Sequence, residues 1–336
     1  MKRIIFALLV MITTVGCNSS TLGTGQQAAG GAPYELIAVV AQPQWEGAVG
    51  ETLKEIFSDP VMGLTELQPR MDLMRVMPSA FEGFIKVHRN VLYINIDPSK
   101  SEVEFTGKQN AYADGQMLIL LTAPNEDELI AYLWDNKEEL IGTYERAERN
   151  RALRMNKRHK EGVMVDKIRD MFGFSIDLPR GYTSRGTSGD SLLVTSFEYP
   201  VATQGIAIYS YPYEGKSDFE LENLVAQRNN FVKNIPGPSG KSHMTTVRQY
   251  GPEVSYKRIG GRFWAEMRGF WNLEGGDFMG GPMVSWSTVD TKTNRVVCID
   301  CYVYSPKHGQ RDLLRGLEHL IYSVEFPEEK EDDKEQ

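Results

Sequence analysis

Hydrophobic residues recur along the chain at two periods, and the places where one period gives way to the other delimit its elements. Near the start, YELIAVV from Tyr34 is a β-branched and apolar run of strand length. Ala48 to Phe57 then carries Val49, Leu53, Ile56 and Phe57 on one stripe at helical spacing. Pro60, Pro69 and Pro78 deny the next stretch a long regular element. Two further strands, VLYINID and MLILLT, end in turn residues. Pro124-Asn125 opens a helix, with Asn125 as cap and Glu128 three residues on. Its buried stripe is Leu129, Leu133, Leu140 and Tyr144. Beyond Tyr144 the pattern becomes basic almost all round, from Arg146 to Lys160. Those cations either meet an anionic surface or, more plainly, pair with acids of the body.

The second half reads differently. FGFSIDLPRGY is a strand running into a proline turn, and strands follow at Leu192 to Tyr199 and Gly205 to Tyr211. A helix over Asp218 to Ile235 places Leu221, Leu224, Val225, Arg228, Phe231, Val232 and Ile235 near helical spacing. EVSYKRI, RFWAEMRGFWN, MVSWSTVD and RVVCIDCYVYS are consecutive strands, the last two joined by a turn at TKTN. A closing helix, RDLLRGLEHLIYSV, has Leu313, Leu314, Leu317, Leu320 and Ile321 on one face. Strands with short turns and a covering helix predict an antiparallel sheet. The expected class is α+β with two domains, residues 34–160 and 161–327, each a mainly antiparallel sheet with packed helices. Residues 328–336 are acidic, lack apolar positions and predict a disordered tail.

Period also decides the chemistry of the cysteines. In VVCIDCYVY, alternation puts Val297, Ile299, Cys301 and Val303 on one face and Val296, Cys298, Asp300, Tyr302 and Tyr304 on the other. Cys298 and Cys301 therefore point apart, which disfavours both a disulfide and a metal pair. Along RFWAEMRGFWN the same rule groups Phe263, Ala265, Met267 and Trp271 against Arg262, Trp264, Glu266, Arg268 and Phe270. The second set mixes cations with aromatics, as recognition surfaces do. With Trp286 across a glycine-rich connection, Arg262, Trp264, Arg268 and Trp271 form the candidate binding surface; the alternative is that the tryptophans fill the core.

No other motif survives inspection. GPSGKS lacks the P-loop glycine, because Ile235 stands five residues before Gly240. GTSGD and GPSGK miss the spacing of a serine nucleophile elbow. There is no HExxH, and the five histidines have no ligand spacing; His319, between Leu317 and Leu320 on the last helix, reads as packing or surface. No catalytic residue, metal site or cofactor is expected.

The amino terminus gives the address. Lys2 and Arg3, the apolar run Ile4 to Ile12 and a small-residue end make a secretory signal over residues 1–16. Thr14-Val15-Gly16-Cys17 resembles the lipobox of bacterial lipoproteins, with Thr14 where leucine is usual. That resemblance implies lipidation at Cys17 and anchoring by acyl chains, each buried CH₂ contributing about 0.8 kcal/mol. Residues 17–33 are mostly Ser, Thr, Gly, Gln and Ala without apolar period and predict a flexible tether. Surface-exposed lipoproteins of the Bacteroides group usually carry an acidic cluster after the lipidated cysteine; none follows Cys17, and the resemblance therefore implies the periplasmic face of the outer membrane. Removing residues 1–16 takes away Lys2 and Arg3 and no acid, moving the formal charge from −8 to about −10. So acidic a body is a poor partner for nucleic acid.

Together the lipoprotein start, the block RGFWNLEGGDFMGGPMVSW, the hairpin VDTKTNRVVCIDCYVYSPK and the closing RDLLRGLEHLIYSVEF resemble the DUF4837 family, uncharacterised lipoproteins of Bacteroides and their relatives. The likeness runs from Tyr34 to Phe326 and implies no catalytic residues. The second half also resembles the Mog1/PsbP fold, which mostly serves in binding and assembly. The expectation is a lipid-anchored envelope protein acting as a non-catalytic binding or assembly factor, with a protein or glycan partner. The alternatives are a carbohydrate- or peptidoglycan-binding module stacking sugars on Trp264, Trp271 and Trp286, and an envelope hydrolase.

Overall fold

The computed structural model describes residues 25–327, so Cys17, the signal segment and the acidic tail lie outside the described residues. The amino-terminal half comprises β1 (Glu35–Val39), α1 (Gln42–Glu46), α2 (Ala48–Phe57), β2 (Asp72–Val76), α3 (Gly83–Lys86), β3 (Asn90–Ile96), β4 (Glu104–Gln109), β5 (Met117–Ala123), α4 (Glu126–Asp135) and α5 (Lys137–Arg158). Its five strands run in the order β2-β1-β3-β5-β4. The pairs β1/β2, β1/β3 and β3/β5 are parallel; only β4/β5 is antiparallel. This corrects the expectation that each sheet would be mainly antiparallel. The strands LIAV and MLILL are apolar continuously rather than alternately because both faces are covered, as parallel strands require. On one face lie Val49, Leu53 and Ile56 of α2, Leu129 and Leu133 of α4, and Leu140 and Tyr144 of α5. The other face has a thinner cover, Phe81 and Ile85 against Ile37, Val91 and Leu118.

The helix that opens at Asn125 is capped as its sequence predicts: the Asn125 side chain accepts from the Glu128 backbone N–H. It breaks at Asn136, whose side chain donates to the Tyr132 carbonyl, and α5 restarts behind it. Part of the expected tether is also docked. Ala28 bridges Asp114 and Gly30 bridges His88 through backbone hydrogen bonds, so the chain joins the body before Tyr34.

The carboxy-terminal half contains α6 (Gly162–Phe172), β6 (Thr183–Ser188), β7 (Leu192–Glu198), β8 (Thr203–Pro212), α7 (Leu221–Val232), β9 (His243–Val247), β10 (Glu253–Ile259), β11 (Arg262–Glu274), β12 (Gly280–Asp290), β13 (Arg295–Tyr304) and α8 (Arg311–Leu320). Its sheet is antiparallel, in the order β10-β11-β12-β13-β8-β7-β6, with β9 on the far end of β11. The molecule is thus α+β. FGFSIDLPRGY is not a strand: it follows α6 through Gly173, whose φ of 76° closes that helix, and Ser175 makes one bridge to Glu325.

Helices α6 and α8 cover one face of this sheet, over Trp264, Trp286, Ile299 and Cys301. Helix α7 covers the other, over Ala265, Met267, Trp271 and Cys298. Cys298 and Cys301 are free and sit in these two separate cores, as the period-2 reading requires. Within the second core Arg228 of α7 grips Asp300 of β13 through two bonds, 2.7 and 3.1 Å, with neither side chain exposed. Burial pushes the Asp300 carboxyl up, and Arg228 opposes that shift.

Candidate binding site between the halves

The sequence-predicted surface does not form. Trp264, Trp271 and Trp286 are 1%, 3% and 2% exposed, which removes them as sugar-stacking platforms. The cause is the double cover of the sheet: alternation sends Trp264 into one core and Trp271 into the other. Trp271 donates to the Val303 carbonyl at 3.1 Å on the α7 side. Arg262 lies over the Phe326 ring and donates to the Val289 carbonyl. Trp286 and Arg268 do meet, through Glu266: the indole N–H donates to Oε2 at 3.1 Å and Arg268 Nε to Oε1 at 2.6 Å. Lys257 is the third partner of that carboxylate. Burial opposes its charge, but Arg268 and Lys257 outweigh burial and hold the Glu266 carboxyl below the usual range.

Arg268 also reaches Glu318 of α8 at 2.6 Å, and from there a polar seam runs between the two halves. Residues 311, 315 and 319 of α8 repeat every four positions and so share one side of that helix. Arg311 holds Asp72 of β2 through two bonds of 2.7 and 3.0 Å. Arg315 donates to Glu145 of α5 at 2.9 Å, and Arg70 shares the same carboxylate. Burial disfavours the Glu145 anion, yet Arg70 and Arg315 keep its carboxyl low. The start of α8 is capped from the other half: Gln68 Oε1 accepts from the backbone N–H groups of Gln310 and Arg311. Arg149 of α5 lies 3.9 Å over the Tyr322 ring.

At the centre, Tyr34 Oη and His319 Nε2 stand 3.1 Å apart. Tyr34 enters β1 with φ of 62°, a left-handed conformation unusual for a tyrosine. Its backbone N–H is held by Glu148, a carboxylate only 4% exposed that also accepts from Asn90 and pairs with Arg151. Burial, reinforced by Arg315 and Arg149, pushes the His319 imidazole down to about 4.

Two cavities flank this joint, and His319 lines both. The smaller, about 200 Å³, lies among Glu145, Arg149, Glu266, Arg268, Arg315 and Glu318. The larger, about 360 Å³, is lined by Arg89, Arg151, Arg154, Arg158, Asp114 and Glu148, with Ala28, Ala29, Pro33 and Met155 as its apolar part. The basic end of α5 is therefore not uniformly solvated. Arg151 turns inward to Glu148, Asn90 and the Gly115 carbonyl, and Lys160 pairs with Asp177.

None of Tyr34, Glu145, Glu148, Arg311, Arg315 or His319 was singled out from sequence as a site residue; the repeat at 311, 315 and 319 was the available signal. The remaining candidates for chemistry are closed. Burial pushes the Cys298 thiol up to about 12 and the Cys301 thiol well above its ordinary value. Among the described residues no group of three or more His, Cys, Asp or Glu side chains is placed to hold a metal ion. No helix of the described residues is long and apolar enough to cross a membrane.

Residues 161–323 match DUF4837, a domain of unknown function, and residues 29–173 match a second one, DUF8532. The DUF4837 likeness is thus carried by the second half and does not reach back to Tyr34. No curated protein matches the chain. Among solved structures, cyanobacterial PsbP (CyanoP) from Synechocystis is 13% identical over 46% of this chain and 86% of its own, with a TM-score of 0.30. A Bacteroides thetaiotaomicron protein is 13% identical over 47% of each chain, TM-score 0.27. The lipid transfer and protein localization domain of human StarD13 is 11% identical over 48% of this chain and 90% of its own, TM-score 0.21.

Proposed function

We propose that the protein is a non-catalytic binding or assembly factor of the cell envelope, tethered through acylated Cys17 to the outer membrane on its periplasmic side, and that it binds in the cleft between its halves. The observation that carries the binding reading is the Tyr34–His319 joint, one residue from each half, beside a cavity lined from both. The charges around it favour binding over catalysis. A hydrolase needs a carboxylic acid held protonated or a base poised near the working pH. Here Glu145 and Glu266 are kept ionised by arginine partners, and an imidazole lowered to about 4 is a weak base. The hydrolase reading therefore has these two carboxylates in proximity but neither tuned for the work. The glycan reading has lost its three stacking rings to the core.

Metabolic labelling with a palmitate analogue should mark the wild-type chain and leave Cys17→Ala unmarked, with the variant released from membranes. An unlabelled wild type removes the anchor from the proposal. Capture from crosslinked membranes should return envelope components through the wild type. Cleavage of envelope polymers by the wild type, lost in His319→Gln, would replace binding with hydrolysis.

A further inference from the structure

The larger cavity has hydrogen-bond donors without acceptors, and the hydrogen bonding around His319 identifies one of them. The Tyr34 hydroxyl is buried, and among the described residues its one hydrogen-bond neighbour is His319 Nε2. The guanidinium groups of Arg311 and Arg315 lie over the Tyr34 ring at 5.2 and 5.3 Å; they carry donors only. Among the described residues the one acceptor within reach of the hydroxyl proton is the lone pair of Nε2. With the hydroxyl as donor, the neutral imidazole carries its own proton on Nδ1. That nitrogen is buried and has no partner among the described residues. Among the described residues Arg89 Nε is likewise buried and unpartnered, while its Nη1 pairs with Glu148, and Arg89 and His319 line the same cavity.

Acceptors on the lining are already engaged. Glu148 serves Tyr34, Asn90, Arg151 and, at 3.5 Å, Nη1 of Arg89, and Asp312 holds Arg311. Asp114 is 4.0 Å from Arg154, the longest ion pair on the lining. Arg158, exposed at the rim, has no ion-pair partner among the described residues. A buried donor left without an acceptor is costly, and two beside one cavity call for a ligand that supplies oxygen atoms.

We infer that the cavity lined by Arg89, Arg154, Arg158 and His319 binds a small organic oxyanion, a phosphate monoester or carboxylate, with its charged end toward these donors and a short apolar body against Ala28, Ala29, Pro33 and Met155. The volume has room for roughly a dozen water-sized groups, which limits the ligand to a small molecule or to the end of a larger one. This assignment rests on the reading of the chain as a binding protein; it does not depend on Cys17 or on the membrane.

The test is calorimetric titration of the full-length chain in neutral detergent with butyl phosphate, butyrate, inorganic phosphate and butanol. One saturable site is expected for butyl phosphate or butyrate, weaker binding for inorganic phosphate and none for butanol; the stronger of the first two identifies the head group. Arg158→Ala, at an exposed position, should leave the melting temperature in place and weaken binding about tenfold, the worth of one charge-assisted hydrogen bond. Imidazole ¹⁵N spectra should show the proton on Nδ1 and shift that signal on titration. A proton on Nε2, no saturable heat with either organic anion, or equal binding by Arg158→Ala would each overturn the assignment, as would a crystal structure with a water alone on Nδ1 at millimolar anion. Capture of an envelope partner without anion binding would overturn the ligand and leave the binding-factor reading. Turnover of a bound ester would do the reverse.

Discussion

His319 shows how one side chain ties acidity to stability. Its imidazole titrates near 6.5 in an unfolded chain, whereas burial beside Arg315 and Arg149 takes it down to about 4 in the fold, with Glu148 and Glu145 opposing. Between those values the unfolded chain binds the extra proton, so stability is full above 6.5 and falls as pH drops toward 4. The difference corresponds to about 3 kcal/mol at the acid end. His319→Gln should flatten this limb, and urea unfolding midpoints between pH 4.5 and 7.5 will show it; an equally steep loss in the variant would assign the slope to other groups. Sequence could not reveal this role, because the partner Tyr34 is 285 residues away and no local pattern links them. The cysteines were legible for the opposite reason: strand alternation alone sends Cys298 and Cys301 to different cores.

Elements with their own signals were the most readable. Helix α2 spans Ala48–Phe57 as its apolar stripe predicts, and the cap on α4 forms between Asn125 and Glu128. Asn125→Ala should lower stability by about 1 kcal/mol, read as a drop in melting temperature without change in the folded far-ultraviolet spectrum. Strands β4 and β6 escaped notice because every residue in them is exposed, which leaves no alternation to detect. The parallel sheet was missed although its unbroken apolar runs carried the information. The tryptophans teach a related lesson. Large residues on both faces of β11 mean that both faces are covered, since a recognition face on a half-open sheet would leave its aromatic rings in solvent.

At the scale of the molecule, the halves are joined by directed polar contacts. Arg311 unites Asp72, the Pro69 carbonyl and the Tyr34 ring, and Gln68 caps the helix that carries it. Asp72 is partly exposed, which discounts the pair; Arg311→Ala should still cost about 2 kcal/mol. Scanning calorimetry should then resolve two transitions where the wild type gives one, and an unchanged single peak would mean that the seam contributes little to cohesion. None of these partners is near its mate in sequence, so only the repeat at 311, 315 and 319 along α8 foreshadowed the joint. The segment that leads toward Cys17 has a consequence of its own. Ala28 and Ala29 are stitched to Asp114 and also form a wall of the larger cavity. Tension along that strand therefore acts directly on the chamber: peeling it away breaches one side, and an occupant gripping that side resists the pull.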